Sequence, residues 1–169
     1  STFDDVSPVI ITSPLAFNGE CIASSQNDLV NWIKNKAGSV VSDGCSDTII
    51  WTDFVYTTST GQSGQSSINN GPYPTIPNGI CTWFVNVSFF FKDDCGNMGA
   101  TAIRKFEIKD TRAPVLSVSP PNITISCNNV PLPPTITAQD ECGGLINVIF
   151  QSSNTQVGDV DVCGHYNYT

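Results

Sequence analysis

Cys21 stands thirteen positions after Pro8, and Cys127 thirteen positions after Pro114. Both landmarks are displaced by 106 positions (114 − 8 and 127 − 21), and their surroundings agree: Asp4-Asp5-Val6-Ser7-Pro8-Val9-Ile10 against Asp110-Thr111-Arg112-Ala113-Pro114-Val115-Leu116. An internal repeat constrains a fold more than local propensity does, because both copies must accept one architecture. Carried onward, the overlay matches Cys45, in Ser42-Asp43-Gly44-Cys45, with Cys142, in Gln139-Asp140-Glu141-Cys142; it also matches Cys81 with Cys163. Cys95 has no counterpart. At the first copy's spacing (95 − 81 = 14) its partner would stand at position 177 (163 + 14), past Thr169. The 7 cysteines then read as one copy with four and a second copy cut after three.

The first copy carries two insertions. Between its first two cysteines it is nine residues longer (24 against 15), and 27–37 reads as a short helix with Leu29, Trp32 and Ile33 on one face. Ser25 or Asn27 suits its start and Gly38 its end. Between the second and third cysteines the copy is 15 residues longer (36 against 21), and the excess, 57–79, is rich in Ser, Gly, Gln, Asn and Pro and reads as a surface loop. Strands are expected over 39–41, 48–56, 82–92, 100–109, 115–118, 123–127, 135–138, 146–152 and 166–169. Trp83, Val85, Val87, Phe89 and Phe91 alternate as in a half-buried strand. Short strands between turns, without βαβ alternation, predict an all-β fold of tandem β-sandwich repeats. Residues 1–8 would end a preceding repeat or serve as a linker or donor strand, 9–110 form the first repeat, and 111–169 an incomplete second one.

In an antiparallel sandwich the first and third cysteines share one pole and the second and fourth the other. That topology predicts Cys21–Cys81, Cys45–Cys95 and Cys127–Cys163, with Cys142 bonded to a residue beyond the chain. Four cysteines allow three pairings, and buried free thiols are the remaining alternative. Cysteine-rich chains of this kind belong to oxidising compartments. With a single His165 and no Cys-x-x-Cys pair, zinc spacing is missing.

A formal net charge of −8 leaves no basic patch for nucleic acid or an anionic membrane. No run of 18 apolar residues predicts a membrane span. The chain opens at Ser1 without a signal peptide, which reads as processing or as a fragment.

Asp93-Asp94-Cys95-Gly96-Asn97, then Phe106-Glu107-Ile108-Lys109-Asp110-Thr111-Arg112-Ala113-Pro114-Val115-Leu116, then Pro121-Asn122-Ile123-Thr124-Ile125-Ser126-Cys127 resemble HYR-like, immunoglobulin-like repeats. Asp140-Glu141-Cys142-Gly143-Gly144 matches that family's Asp-x-Cys-Gly element. Such repeats occur in tandem in large secreted surface proteins, notably gliding-type adhesins of Bacteroidetes and similar algal or protist cell-surface fibres. The resemblance covers nearly the whole chain except 57–79. It implies an immunoglobulin-like fold, an extracellular location and service as a spacer, stalk or adhesive module.

Candidate sites follow from position. Asp110 in the linker, with Asp140 and Glu141 at the facing pole of the second repeat, would offer hard oxygen ligands to Ca2+; Asp4 and Asp5 would meet Asp43 and Asp47 in the same way at the first. The alternative is that these aspartates make Asx-turns and solvate the poles, and that Asp93 and Asp94 merely form a turn. Asn86, Asn122 and Asn167 begin Asn-x-Ser/Thr sequons, each out of phase with its neighbours' apolar face, and 57–67 and Thr48 suit O-linked sugars. Tyr73, between Pro72 and Pro74, is the candidate exposed contact for glycan or protein, whereas Trp51 belongs to the core. No catalytic arrangement surrounds His165, and Gly61-Gln62-Ser63-Gly64 lacks the strand–turn–helix setting of a nucleophile elbow. The expectation is a non-enzymatic, glycosylated structural repeat of an extracellular filament or adhesin stalk, joined head to tail to neighbouring repeats or identical subunits by strand donation. The alternative is a carbohydrate- or protein-binding adhesive module.

Overall fold

The computed structural model describes residues 4–45, 47–125, 129 and 131–153, and divides into unit 1 (Ser1–Thr111) and unit 2 (Arg112–Thr169). Unit 1 is built on the long strand β6. The strands in chain order are β1 (Val9–Thr12), β2 (Phe17–Glu20), β3 (Val40–Ser42), β4 (Ile50–Thr58), β5 (Ser63–Ser67), β6 (Thr82–Lys92), β7 (Met98–Ala100) and β8 (Arg104–Lys109). Helix α1 (Ser25–Lys34) follows β2. The main sheet has the order β2-β8-β6-β4-β5, with β7 also paired to β6; β1 and β3 form a separate antiparallel pair. The architecture is mostly strand with one short α-helix, compatible with a β-sandwich.

The alternation read along β6 sets the core. Trp83, Val85, Val87 and Phe89 are fully buried, as are Phe54 of β4 and Phe106 of β8. Helix α1 closes over this face. Leu29 and Ile33 are buried beneath it. The Trp32 ring lies 5.9 Å from Phe89 and 5.6 Å from Phe106, and its indole N–H donates to the Leu15 carbonyl at 3.0 Å. The helix starts at Ser25 and stops at Lys34, slightly ahead of the expected span. Beyond it, Lys36 and Ala37 take left-handed φ values of 50° and 53°, which turn the chain and bring the Ala37 carbonyl to the Leu15 N–H at 2.8 Å.

The insertion at 57–79 is only partly loop. Residues 63–67 form edge strand β5, in register from Asp53↔Ser67 to Thr57↔Ser63. Tyr56 faces Gly64, where an added Cβ would come within 2.9 Å of the tyrosine oxygen, so only glycine lets that ring lie across the strand. The rest of the insertion packs against the first one. The Gln26 side chain of α1 donates to the Pro74 carbonyl at 3.0 Å and accepts from the Ile76 N–H at 2.9 Å. Ile68 is fully buried, and Tyr73 stacks on Phe54 at 6.0 Å. The two insertions therefore interlock over the core.

Unit 2 contributes β9 (Val115–Leu116), β10 (Ala138–Asp140) and β11 (Gly144–Ile146), in the order β11-β10-β9. The expected strands over 123–127 and 146–152 are not realised in the described residues beyond Ile146. Ala138 is the buried apolar residue of this unit among those described, while Val115, Leu116, Ile123, Leu132, Ile149 and Phe150 are exposed. An extended segment without a partner strand or apolar cover has nothing to hold it in a ladder. One register recurs. In unit 1, Val9 pairs with Ser42 and Ile10 with Val41; in unit 2, Val115 pairs with Gln139 and Leu116 with Ala138. Each unit 2 pair is the unit 1 pair displaced by the sequence offsets 106 (9 to 115, 10 to 116) and 97 (42 to 139, 41 to 138).

Because α1 forms one wall of the core, Ile33→Ala should lower the stability of the chain by about 2–5 kcal/mol. Asn31→Ala, on the exposed side of the same helix, should stay within about 0.5 kcal/mol of the parent in the same chemical denaturation.

Candidate metal centre at the pole of unit 1

Three chain segments converge beyond the end of β6. Asp4 precedes β1, Asp43 follows β3, and Asp93 follows β6. One carboxylate oxygen from each lies within 4.8 Å of the others. Each aspartate is set by its own turn. The Cys45 N–H donates to Asp43 Oδ1 at 2.8 Å, and the Val6 N–H to Asp4 Oδ1 at 3.1 Å. The Asn97 N–H donates to Asp93 Oδ1 at 2.8 Å, and the Asn97 side-chain amide to Asp93 Oδ2 at 2.7 Å. The same amide also donates to the Asp4 carbonyl at 3.2 Å, so one side chain ties the segment before β1 to the end of β6. Gly96 takes φ 95° between them, a value that suits glycine in a turn this tight.

Asp93 is 1% exposed. Desolvation acts to raise its pKa, but hydrogen bonds from the Asn97 side chain and from the backbone of Asn97, Gly96 and Cys95 outweigh it, and the carboxyl is held below the usual carboxylate range. For the neighbouring thiol of Cys95, local desolvation and then the carboxylates of Asp94, Asp4, Asp93 and Asp43 push the pKa up. The arrangement is an oxygen-rich, strongly negative pole.

Of the aspartates expected to meet at the first repeat, Asp4 and Asp43 do so, whereas Asp5 and Asp47 are exposed and stand outside the cluster. Asp93, read from sequence as part of a turn, is the third member. A signal was present: Asp93 precedes Cys95 by two positions, as Asp43 precedes Cys45 and Asp140 precedes Cys142. The other expected trio is divided between the units. Asp110 belongs to unit 1, where its N–H donates to the Cys81 carbonyl at 2.8 Å. Asp140 and Glu141 belong to unit 2. There Asp140 Oδ1 accepts from the N–H groups of Cys142 (2.8 Å) and Gly143 (3.0 Å), while Glu141 pairs with Arg112 at 2.9 Å. The Asp140–Cys142 turn repeats the Asp43–Cys45 turn in both spacing and bond length.

The cysteines depart from expectation. Cys21 and Cys142 are each disulfide-bonded, and Cys45, Cys81 and Cys95 are free and exposed. Cys21–Cys81 is therefore not formed. The reason is sheet order: the Cys21 N–H donates to the Lys109 carbonyl on one side of the β8 strand, and the Asp110 N–H to the Cys81 carbonyl on the other. Two strand spacings of about 4.8 Å put the two cysteines roughly 10 Å apart, beyond disulfide reach. Cys45–Cys95 is also not formed, and the carboxylates around Cys95 disfavour the thiolate that would attack. Cys142 is bonded within the chain instead of to a residue beyond it. Cys127 and Cys163 lie outside the described residues.

Tyr73 is half-buried. Its hydroxyl donates to the Ile68 carbonyl at 2.8 Å, burial pushes its pKa up, and Lys34 lies 5.8 Å from its ring centre. It is a packing residue that joins the two insertions, not a free contact. Asn86 is half-buried on the outer face of β6, at the edge of a hollow of about 100 Å³ lined also by Val55, Thr57, Ser88 and Ile103. The Ser88 hydroxyl of its sequon donates to the Thr101 carbonyl at 2.7 Å. Asn122 is exposed, and Asn167 lies outside the described residues. No helix among the described residues is long and apolar enough to cross a membrane.

No family model matches the chain, and no curated protein or solved structure matches it significantly.

Two outcomes are expected at this pole. Asp93→Ala should lower the melting temperature more than Asp94→Ala, because Asp93 is the buried one of the two and holds the Asn97 turn. Alkylation of the native chain followed by peptide mass spectrometry should label Cys45, Cys81 and Cys95 and spare Cys21 and Cys142.

Proposed function

We propose that the chain is a structural repeat segment of an extracellular filament or adhesin stalk, assembled head to tail. The observation that supports this most is the shared strand register. Two segments 106 positions apart, Val9–Ile10 and Val115–Leu116, pair with Ser42–Val41 and Gln139–Ala138 in the same alignment, and each partner strand runs into the same aspartate-capped turn before a cysteine. Independent evolution of a binding or catalytic domain gives no reason for that coincidence; duplication of a building block does.

The uneven cover of the two copies supports assembly. The first copy closes its core with a helix and a loop that the second lacks. Apolar side chains remain exposed on unit 2, and Val6, Val9, Ile11 and Leu15 are exposed near the start of unit 1. Large apolar residues and open strand edges in a lasting extracellular material call for covering by a neighbour. Strand donation by residues 1–8, ahead of β1, of an identical subunit is the reading we favour. Net charge −8, the disulfide-bonded cysteines and the Ser/Thr/Asn-rich surface fit secretion, with Asn122 the more accessible of the two described sequons for glycan. The adhesive alternative loses its named contact, because Tyr73 is spent on packing.

Deleting residues 1–8 should abolish growth of the chain into filaments, followed by light scattering and negative-stain microscopy, while circular dichroism still shows a folded β-protein. Filaments of unchanged length and yield from the deleted chain would remove the strand-donation reading.

A further inference from the structure

We propose that Asp4, Asp43 and Asp93 form a Ca2+ site that clamps the segment before β1 to the pole of unit 1. This goes beyond the repeat reading and does not rest on it, since all three residues belong to one unit.

The geometry carries the inference. Carboxylate oxygens from three separate segments lie within 4.8 Å of one another, a spacing at which like charges repel. An exposed acidic surface relieves such repulsion by turning side chains into water. Here that route is closed at two of the three positions. Asp93 is 1% exposed and fixed by two hydrogen bonds from Asn97. Asp4 Oδ2 is sealed from solvent and receives no hydrogen bond at all, its Oδ1 alone being used by the Val6 N–H. A buried carboxylate oxygen without a donor, beside two further carboxylates, is costly unless a cation completes it. Neither Asp4 nor Asp93 has an ion-pair partner among the described residues.

The donor set chooses the ion. All the converging atoms are carboxylate oxygens, which suit a hard cation. They come from two turns and a strand end, with several coordination positions left for water or backbone carbonyls. Calcium accepts six to eight oxygens in loose geometry, whereas magnesium requires a near-ideal octahedron. The bound ion would join one end of the antiparallel β1–β3 pair, where Asp4 leads in and Asp43 leads out, to the end of β6, with which that pair shares no backbone ladder.

The test uses the full 169-residue chain stripped with chelator and titrated with CaCl2. Calorimetry should give a site with a Kd between about 0.1 and 1 mM, the range of extracellular calcium modules. Ca2+ at about 100 times Kd should raise the melting temperature by on the order of 10 °C, with a smaller rise in equal MgCl2. Asp4→Asn and Asp43→Asn keep each Oδ1 acceptor but remove a charge. Both should lose the Ca2+-dependent rise yet melt no lower than the parent in chelator, because the like-charge repulsion is relieved. A purely structural role would lower the melting temperature in chelator too. The proposal is overturned if the parent melts identically in Ca2+ and chelator, if both variants keep the full rise, or if Mg2+ matches Ca2+. Because the two variants lie in different turns, misfolding of one leaves the other to decide.

Discussion

Unit 1 depends on one packing interaction: the apolar face of β6 against helix α1. Trp83, Val85, Val87, Phe89 and Phe91 supply one side, and Leu29, Trp32 and Ile33 the other. Removing that apolar surface from water is the main favourable term available to a chain with few charged residues and short strands. The sheet is ordered around the same strand. With β4 and β8 on its two sides, β2 can join only beyond β8, where it lies parallel to that strand from Phe17↔Phe106 to Glu20↔Lys109. The Phe17 ring stacks on Phe106 at 4.4 Å, and Glu20 accepts from Thr111 through both carboxylate oxygens at 2.7 Å. An early strand of the unit is thus laid beside its last.

This arrangement determines where the cysteines and aspartates stand. Inserting β8 between β2 and β6 keeps Cys21 away from Cys81, although both stand at the same end of the sheet. Ending β6 at Lys92 sends Asp93 inward, under its own turn, toward Asp4 and Asp43. The acidic pole is therefore a product of sheet geometry: a strand end, a strand-following turn and an entering segment meet because β1 pairs with β3 close to where β6 ends.

The contrast between the units has a physical basis in the insertions. Unit 1 has a helix and a loop that hold each other through Gln26, Lys34 and Tyr73, and with them a closed core. Unit 2 has no stretch comparable to either segment, and Ala138 is the residue its described strands bury. The shared β1–β3 and β9–β10 register shows how small the common framework is; the cover over it differs.

Much was legible in the residues themselves. Period-two alternation located β6, helical spacing picked Leu29, Trp32 and Ile33, and the 106-residue offset matched segments Val9–Ile10 and Val115–Leu116, whose strand pairing only the structure shows. These are local or self-referential signals, and a single chain carries them whole. The Cys21–Cys81 expectation failed because it required knowing which strands are neighbours, and β2 joins β8 in a parallel pairing that no turn signal announces. Strand β5 was hidden because Ser-Gly-Gln-Ser-Ser has loop composition and is held by its partner β4 instead of by its own propensity. Tyr73 looked exposed between two prolines until Phe54 was placed beneath it. Asp4 and Asp43 were foreseen together, but Asp93 joined them only through the fold. Sequence by itself determined which faces are apolar, where the chain turns and what recurs. Tertiary structure alone decided which segments meet, because strand order and burial arise from contacts between residues as far apart as 4 and 93, and no local pattern encodes those.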